Sequence, residues 1–185
     1  PVNIKGVRIG IPICEDIWRE NVIECLAESG AEIIVSINAS PFTLSKYNER
    51  LSVVISRIRE NELPLVYLNR YGGQDELVFD GNSFALNYDG SIFLNCKSFE
   101  HDISIINFRK DKKWIGKGDI IKSSTKYESL YKALVLGLRD YVKNNKFPGV
   151  ILGMSGGIDS ALVAALAVDA LSSQNVHAVM MPSPY

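Results

Sequence analysis

The run Gly149–Val168 (GVILGM, SGGIDS, ALVAALAV) restricts the fold more than any other stretch of this 185-residue chain. Val150–Leu152 reads as a buried strand, Ser155–Ser160 as a glycine-containing turn, and Ala161–Leu171 as a helix of Ala, Leu and Val. Val176–Met181 supplies a second strand. Strand, helix and strand in that order make a βαβ unit with parallel strands, the opening of a doubly wound sheet. One such unit cannot bury both faces of its sheet, so this second domain is expected to be incomplete within the sequence.

The first part of the chain has a different rhythm. Val7–Ile13 and Ala31–Ile37 read as buried strands, and Leu65–Leu68 begins another. Between them, Ile17–Ser29 has helical spacing and stops at Gly30. Leu51–Glu60 places Val54, Ile55 and Ile58 on one face, with Arg50, Arg57 and Arg59 assigned elsewhere. From Leu77 the pattern becomes short apolar-aromatic runs broken by Asp80-Gly81 and Asp89-Gly90, both hairpin signals, and Asp102–Phe108 alternates like one more strand. This predicts a mixed sheet with helices on a face. Phe108–Lys126 is rich in Lys, Gly and Ser and reads as a solvated boundary. Tyr127–Lys143 after it is an amphipathic helix. The expected division is residues 1–112, a linker over 113–126, and residues 127–185.

Composition narrows the function classes. With 20 Lys+Arg against 21 Asp+Glu, the net charge of -1 supports neither a nucleic-acid nor a membrane partner. No apolar run reaches the roughly 18 residues that a bilayer span needs, and Pro1–Gly6 lacks a signal-peptide layout. The three cysteines, Cys14, Cys25 and Cys96, cannot all pair, so the cytoplasm is the expected compartment.

The strongest chemical signal is the SGGIDS turn. Gly156 and Gly157 permit positive φ, letting backbone N–H groups face an anion. Ser155 and Ser160 add hydroxyl donors, and the helix N-terminus after Asp159 adds partial positive charge. No lysine stands in the loop, which excludes the GxxxxGK[ST] nucleotide loop. Asp159 would repel phosphate unless a cation lay between them, and Mg²⁺ is the natural candidate. A plain turn with Asp159 or Ser160 as helix cap accounts for fewer of these residues.

SGGIDS after a buried strand resembles the pyrophosphate loop of the N-type ATP pyrophosphatases, which include NAD, GMP and asparagine synthetases. In that group ATP adenylates a carbonyl or carboxyl oxygen, pyrophosphate leaves, and ammonia displaces AMP. The resemblance implies that Gly153, Met154, Ser155, Gly156, Gly157, Ile158, Asp159 and Ser160 bind ATP, with Asp159 a ligand of Mg²⁺.

Cys14, in IPICEDIW, ends one strand and begins a helix, where a helix N-terminus favours a nucleophilic thiolate. Glu15 and Asp16 act the other way. On position alone a lone cysteine at a strand end is more often a buried small hydrophobe, the reading given to Cys25 and Cys96. His101 and His177 are the two histidines, and neither is placed to form a dyad with it. ICEDIW, SINASPF and GGQDELVFDG resemble the nitrilase-type glutaminase domain of glutamine-dependent NAD⁺ synthetases. YKALVLGLRDYV, GMSGGIDSALVAALAVDAL and the final MPSPY resemble their synthetase domain. The likeness implies a fold in two parts: part of a nitrilase-like α-β-β-α sandwich, then the first βαβ unit of a doubly wound parallel sheet.

It also implies that Cys14 is the nucleophile and that Ser40 and Lys46 hold glutamine. The implied reaction is ATP-dependent amidation of deamido-NAD⁺ by a cytoplasmic homo-oligomer. GGQDE is implied to lie near the glutaminase site or the ammonia route.

The match has gaps. A nitrilase-type triad needs a Glu base and a Lys well before the cysteine, yet Pro1–Ile13 holds Lys5 and no Glu. Tyr71 also stands where a small apolar residue is expected. The chain therefore reads as an internal segment of a longer enzyme, inactive alone. Another glutamine- or ammonia-dependent ATP-pyrophosphatase ligase, or a non-catalytic remnant, stays open as an alternative.

Overall fold

A computed structural model of the protein describes residues 1–181, so the Pro182–Tyr185 part of the MPSPY match lies outside the described residues. The chain divides into two compact units. One comprises Pro1–Tyr71 and Phe79–Ser124, the other Gly72–Val78 and the chain from Thr125 onward.

The first unit is built on a six-stranded sheet. Its strands are β1 (Val2–Ile4), β2 (Val7–Gly10), β3 (Ile33–Asn38), β4 (Leu65–Asn69), β7 (Phe84–Leu86) and β8 (Ile92–Asn95), in that spatial order. β2, β3 and β4 run parallel, joined through helices α1 (Glu20–Glu28) and α2 (Lys46–Asn61), while the outer pairings are antiparallel. The parallel strands bury both faces in part, which is why they read as near-continuous apolar runs. Ile17, Ile23, Ile34, Val54, Ile58, Leu65, Tyr67 and Phe84 form the core between sheet and helices. Ala85, Phe93 and Leu94 form a smaller cluster, against which Phe108 packs.

Several expected elements come out differently. β2 stops at Gly10, because Pro12 has no N–H to give a neighbouring strand; Ile13 makes only an isolated bridge to Ile37. β1 was not expected. It forms because Lys5 (φ 52°) and Gly6 (φ 88°) both take positive φ in a tight turn. α2 starts five residues earlier than the apolar spacing indicated.

Of the two Asp-Gly pairs, Asp89-Gly90 links the antiparallel pair β7 and β8. Asp80-Gly81 makes no hairpin: it ends β6 (Leu77–Asp80), whose partner is β5 (Tyr71–Gln74). The strand expected over Asp102–Phe108 begins only at Asn107. There β9 (Asn107–Lys110) pairs with β10 (Trp114–Lys117) inside the stretch that read as an open connection. Gly116 is required in β10, since a Cβ there would lie 2.3 Å from the Phe93 ring.

The second unit holds α3 (Lys126–Asn144), β11 (Val150–Met154), α4 (Ile158–Leu171) and β12 (Val176–Met180). β11 and β12 pair in parallel across α4, the expected βαβ unit. Thr125 and Glu128 cap α3 reciprocally, each side chain bonding the other's backbone N–H at 3.3 Å. α3 packs on α4, with the Tyr131 hydroxyl donating to Asp169 Oδ2 at 2.6 Å. The tip of the β5–β6 hairpin belongs to this unit. The Gly73 N–H donates to Asp140 Oδ2 at 2.7 Å, and Asn144 Nδ2 donates to the Gly73 carbonyl at 3.3 Å. Ile151 and Val179 stand on the open face of the strand pair, 77% and 52% exposed. No helix of the described residues is long and apolar enough to cross a membrane.

Candidate functional site

Cys14 is the first residue of a five-residue 3₁₀ helix, Cys14–Trp18, and α1 follows only after a break at Arg19. The thiol therefore sits on a short turn rather than at the head of the expected α-helix. Its φ of 49° is a left-handed conformation that costs a non-glycine residue on the order of 1–2 kcal/mol. Asp16 holds the turn: its carboxylate accepts the Ile13 N–H at 2.9 Å, and its own N–H donates to the Ile13 carbonyl at 3.1 Å. Cys14 is half-buried. Cys25, read as buried, is exposed on α1, while burial pushes the half-buried Cys96 thiol up.

Ser40 lies just beyond the end of β3 and is buried. Its N–H donates to Asn69 Oδ1 at 2.9 Å, and its carbonyl accepts from Arg50 Nη2 at 2.7 Å. Arg50 Nε donates to Ser40 Oγ at 3.1 Å, and Arg50 Nη1 meets Asp80 Oδ1 at 2.9 Å. Arg50 is 0% exposed, so Asp80 is its obligatory counter-charge. Burial pushes the Asp80 carboxyl up, and Arg50 draws it back.

The Tyr67 hydroxyl lies in the same cluster. It is buried, and among the described residues the group it faces is the Ser40 side chain. Burial pushes it up; Arg50 and Ser40 oppose the shift, and the Cys14 and Asp80 charges add to it.

Lys46 opens α2. Its Nζ is 2.7 Å from Glu49 Oε2 and 5.4 Å from the centre of the Trp18 ring, the last residue of the Cys14 turn. Lys46 is therefore a neighbour of the cysteine turn but already carries a salt bridge to Glu49, whose carboxyl it lowers. Lys5 stands exposed in the β1–β2 turn.

The sequence reading missed Arg50, Tyr67, Asn69 and Asp80. For Arg50 a signal existed. Arg50, Val54, Arg57 and Ile58 fall at i, i+4, i+7 and i+8, one helical face, and all four are buried. The charges hid this, because buried arginines are rare enough to be assigned outward by default.

In the second unit, Gly156 takes φ 84°, with open space where a side chain would begin. Gly157 caps α4, so the helix begins at Ile158 and contains Asp159 and Ser160 in its first turn. The backbone N–H groups of Ile158, Asp159 and Ser160 then have no intrahelical acceptor. The expected hydroxyl donors are partly engaged with each other: Ser155 Oγ donates to Ser160 Oγ at 3.4 Å, and Ser160 Oγ donates to the Gly157 carbonyl at 2.9 Å. Met154 ends β11. A Cβ on Gly153 would stand 2.5 Å from the Met181 sulfur.

No group of three metal-ligating side chains occurs among the described residues. The exposed Asp159 carboxylate, with no hydrogen bond or ion pair among the described residues, fits a Mg²⁺ ion that takes its other ligands from phosphate and water.

Comparison with known proteins finds a family model in each part of the chain. A profile described as carbon-nitrogen hydrolase matches residues 1–111, and one described as NAD synthase matches residues 130–185. The glutamine-dependent NAD(+) synthetase of Rhodobacter capsulatus is 44% identical over 187 residues, covering 100% of this chain and 34% of its own length. Among solved structures, the glutamine-dependent NAD⁺ synthetase of Acinetobacter baumannii in complex with adenosine diphosphate matches with a TM-score of 0.91. It is 40% identical and covers 100% of this chain and 35% of its own. The enzyme of the same name from Cytophaga hutchinsonii matches with a TM-score of 0.67 at 25% identity, over 91% of this chain and 26% of its own. The chain spans about a third of the length of the curated relatives it matches. The resemblance carried by ICEDIW and SGGIDS is borne out along the whole chain, and through its match over residues 1–111 the chain belongs to the carbon-nitrogen hydrolase family.

Proposed function

We propose that this chain forms part of a glutamine-hydrolysing NAD⁺ synthetase: residues 1–112 contribute to the glutaminase, 113–126, which carry β10 of the first unit, lead on from it, and 127–185 open the synthetase. One observation carries this reading: a strained cysteine turn and a glycine-serine loop before a helix occur together in a chain similar throughout to such enzymes.

The Cys14 sulfur attacks the side-chain amide carbon of glutamine. Ammonia leaves, and water cleaves the resulting thioester to glutamate. Ser40 and Lys46 hold the amino acid, Lys46 turning from Glu49 to the α-carboxylate. In the second unit, the backbone from Gly153 to Ser160 receives the β- and γ-phosphates of ATP. The carboxylate of deamido-NAD⁺ attacks the α-phosphorus, pyrophosphate departs, and ammonia displaces AMP to give NAD⁺. Asp159 would hold Mg²⁺, which would supply positive charge against the phosphates. The base and the lysine of the nitrilase triad are not supplied by Pro1–Ile13 and come from elsewhere in the enzyme. We place the enzyme in the cytoplasm as a homo-oligomer on the same resemblance.

The test is NAD⁺ formation by the enzyme carrying this chain, with glutamine or ammonia as nitrogen source. Cys14→Ala is expected to abolish the glutamine-driven reaction and spare the ammonia-driven one. Retained glutamine-driven activity would refute the assignment.

A further inference from the structure

We infer that Arg50, backed by Asp80 and Asn69, is a positioning residue that presents the Ser40 hydroxyl as a hydrogen-bond donor to a substrate oxygen at the Cys14 centre. The inference rests on the reading of Cys14 as the glutaminase nucleophile.

The polar groups of Ser40 can be accounted for one by one. Its N–H goes to Asn69 Oδ1 at 2.9 Å. Its carbonyl receives Arg50 Nη2 at 2.7 Å and Asn69 Nδ2 at 3.4 Å. Its Oγ accepts Arg50 Nε at 3.1 Å. What remains is chiefly the hydroxyl proton, which faces the buried Tyr67 hydroxyl in the free protein and is available to a ligand oxygen that takes that place. It cannot turn back to Arg50, because a guanidinium has donors and no acceptor. A positive charge on the oxygen's lone pair also strengthens that O–H as a donor. The matching partner is a carbonyl or carboxylate oxygen, which an amide-bearing amino acid supplies.

Stability alone does not account for this arrangement. A buried ion pair contributes little beyond what apolar side chains of the same volume would give. Yet Arg50 is fully buried, and its fork spans two acceptors on Ser40, the Pro41 carbonyl at 3.2 Å and Asp80. Asp80 in turn receives Asn69 Nδ2 at 3.4 Å, and Asn69 also donates to the Gly81 carbonyl at 3.1 Å. The pair thus ties the loop after β3 to the ends of β4 and β6. A lysine could balance Asp80 but could not make this fork.

The test uses the enzyme carrying this chain and compares Arg50→Lys, Ser40→Ala, their combination, and the charge-free pair Arg50→Met with Asp80→Leu. Arg50→Lys is expected to lower kcat/KM for glutamine on the order of tenfold or more, the worth of one hydrogen bond to a charged group. Its ammonia-driven rate should stay close to that of the parent, while its melting temperature falls because the Ser40 and Pro41 carbonyls lose their buried donor. Adding Ser40→Ala to Arg50→Lys should cost less than about twofold more, because both changes act on one hydroxyl. The charge-free pair should restore folding while glutamine kcat/KM stays low.

Full glutamine kcat/KM in Arg50→Lys or in the charge-free pair would overturn the inference, as would losses that multiply between Arg50→Lys and Ser40→Ala. Those results leave the nucleophile assignment intact. Only glutamine-driven activity surviving Cys14→Ala removes that.

Discussion

The cysteine turn and the glycine-serine loop are organised in opposite ways. In the unit that carries Cys14, the order beyond the end of β3 comes from side chains drawn from distant parts of the sequence. Ser40, Arg50, Asn69 and Asp80 are buried, and each is engaged by at least one of the others. In the SGGIDS loop order comes from the backbone itself: a positive φ at Gly156, a cap at Gly157 and the first turn of α4, with the loop residues exposed. A side-chain network couples function to the stability of its unit. A backbone loop leaves the two nearly separate, because little else packs on it.

Substitutions should expose that difference. The largest effect is expected from Asn69→Ala, which strands the Ser40 N–H, the Gly81 carbonyl and part of Asp80 in a buried site. A loss of about 2–3 kcal/mol should follow, at the upper end for unsatisfied buried groups. Urea unfolding followed by tryptophan fluorescence measures it cleanly, since both tryptophans, Trp18 and Trp114, lie in the first unit. A loss under about 0.5 kcal/mol, the size of an ordinary surface change, would break the comparison.

Gly156→Ala comes next. The positive φ makes it cost about 1 kcal/mol locally, read by hydrogen exchange of α4 amides, while ATP-dependent turnover falls far more than folding does. Parallel losses of folding and turnover would show that the loop, too, is part of a packed network.

The smallest effect concerns the exposed edge of the first unit. Glu32 pairs with Lys110 and accepts Trp114 Nε1–H at 3.2 Å, so its carboxyl is lowered from 4.5 to about 2, mainly by the Lys110 hydrogen bond. A carboxyl lowered in the folded state contributes stability above its unfolded value, and that contribution disappears as pH falls. In a Trp18→Phe background, Trp114 emission should therefore change between pH 4.5 and 2, and Glu32→Gln should flatten that response. An unchanged profile in Glu32→Gln would mean that Glu32 does not hold the hairpin.

How much of this was legible beforehand follows the same division. The βαβ unit and its loop could be read directly, because strand, glycine turn and helix are contiguous and each local preference agrees with the fold. The sheet order of the first unit was partly legible. The β1 hairpin was missed because Lys5-Gly6 is not one of the usual turn pairs, and the β9–β10 hairpin because its lysines masked the apolar side of Phe108 and Trp114.

The sequence by itself determined the family resemblance and singled out Cys14 and the glycines of SGGIDS as candidates, since these sit in short contiguous strings. Only the tertiary structure decided that Arg50 faces inward, that Asp80 neutralises it, and that Arg50 grips Ser40 just beyond the end of β3. Burying a charge is favourable only when a partner is already in place. For Arg50 that partner lies 30 residues away along the chain, out of reach of any local pattern.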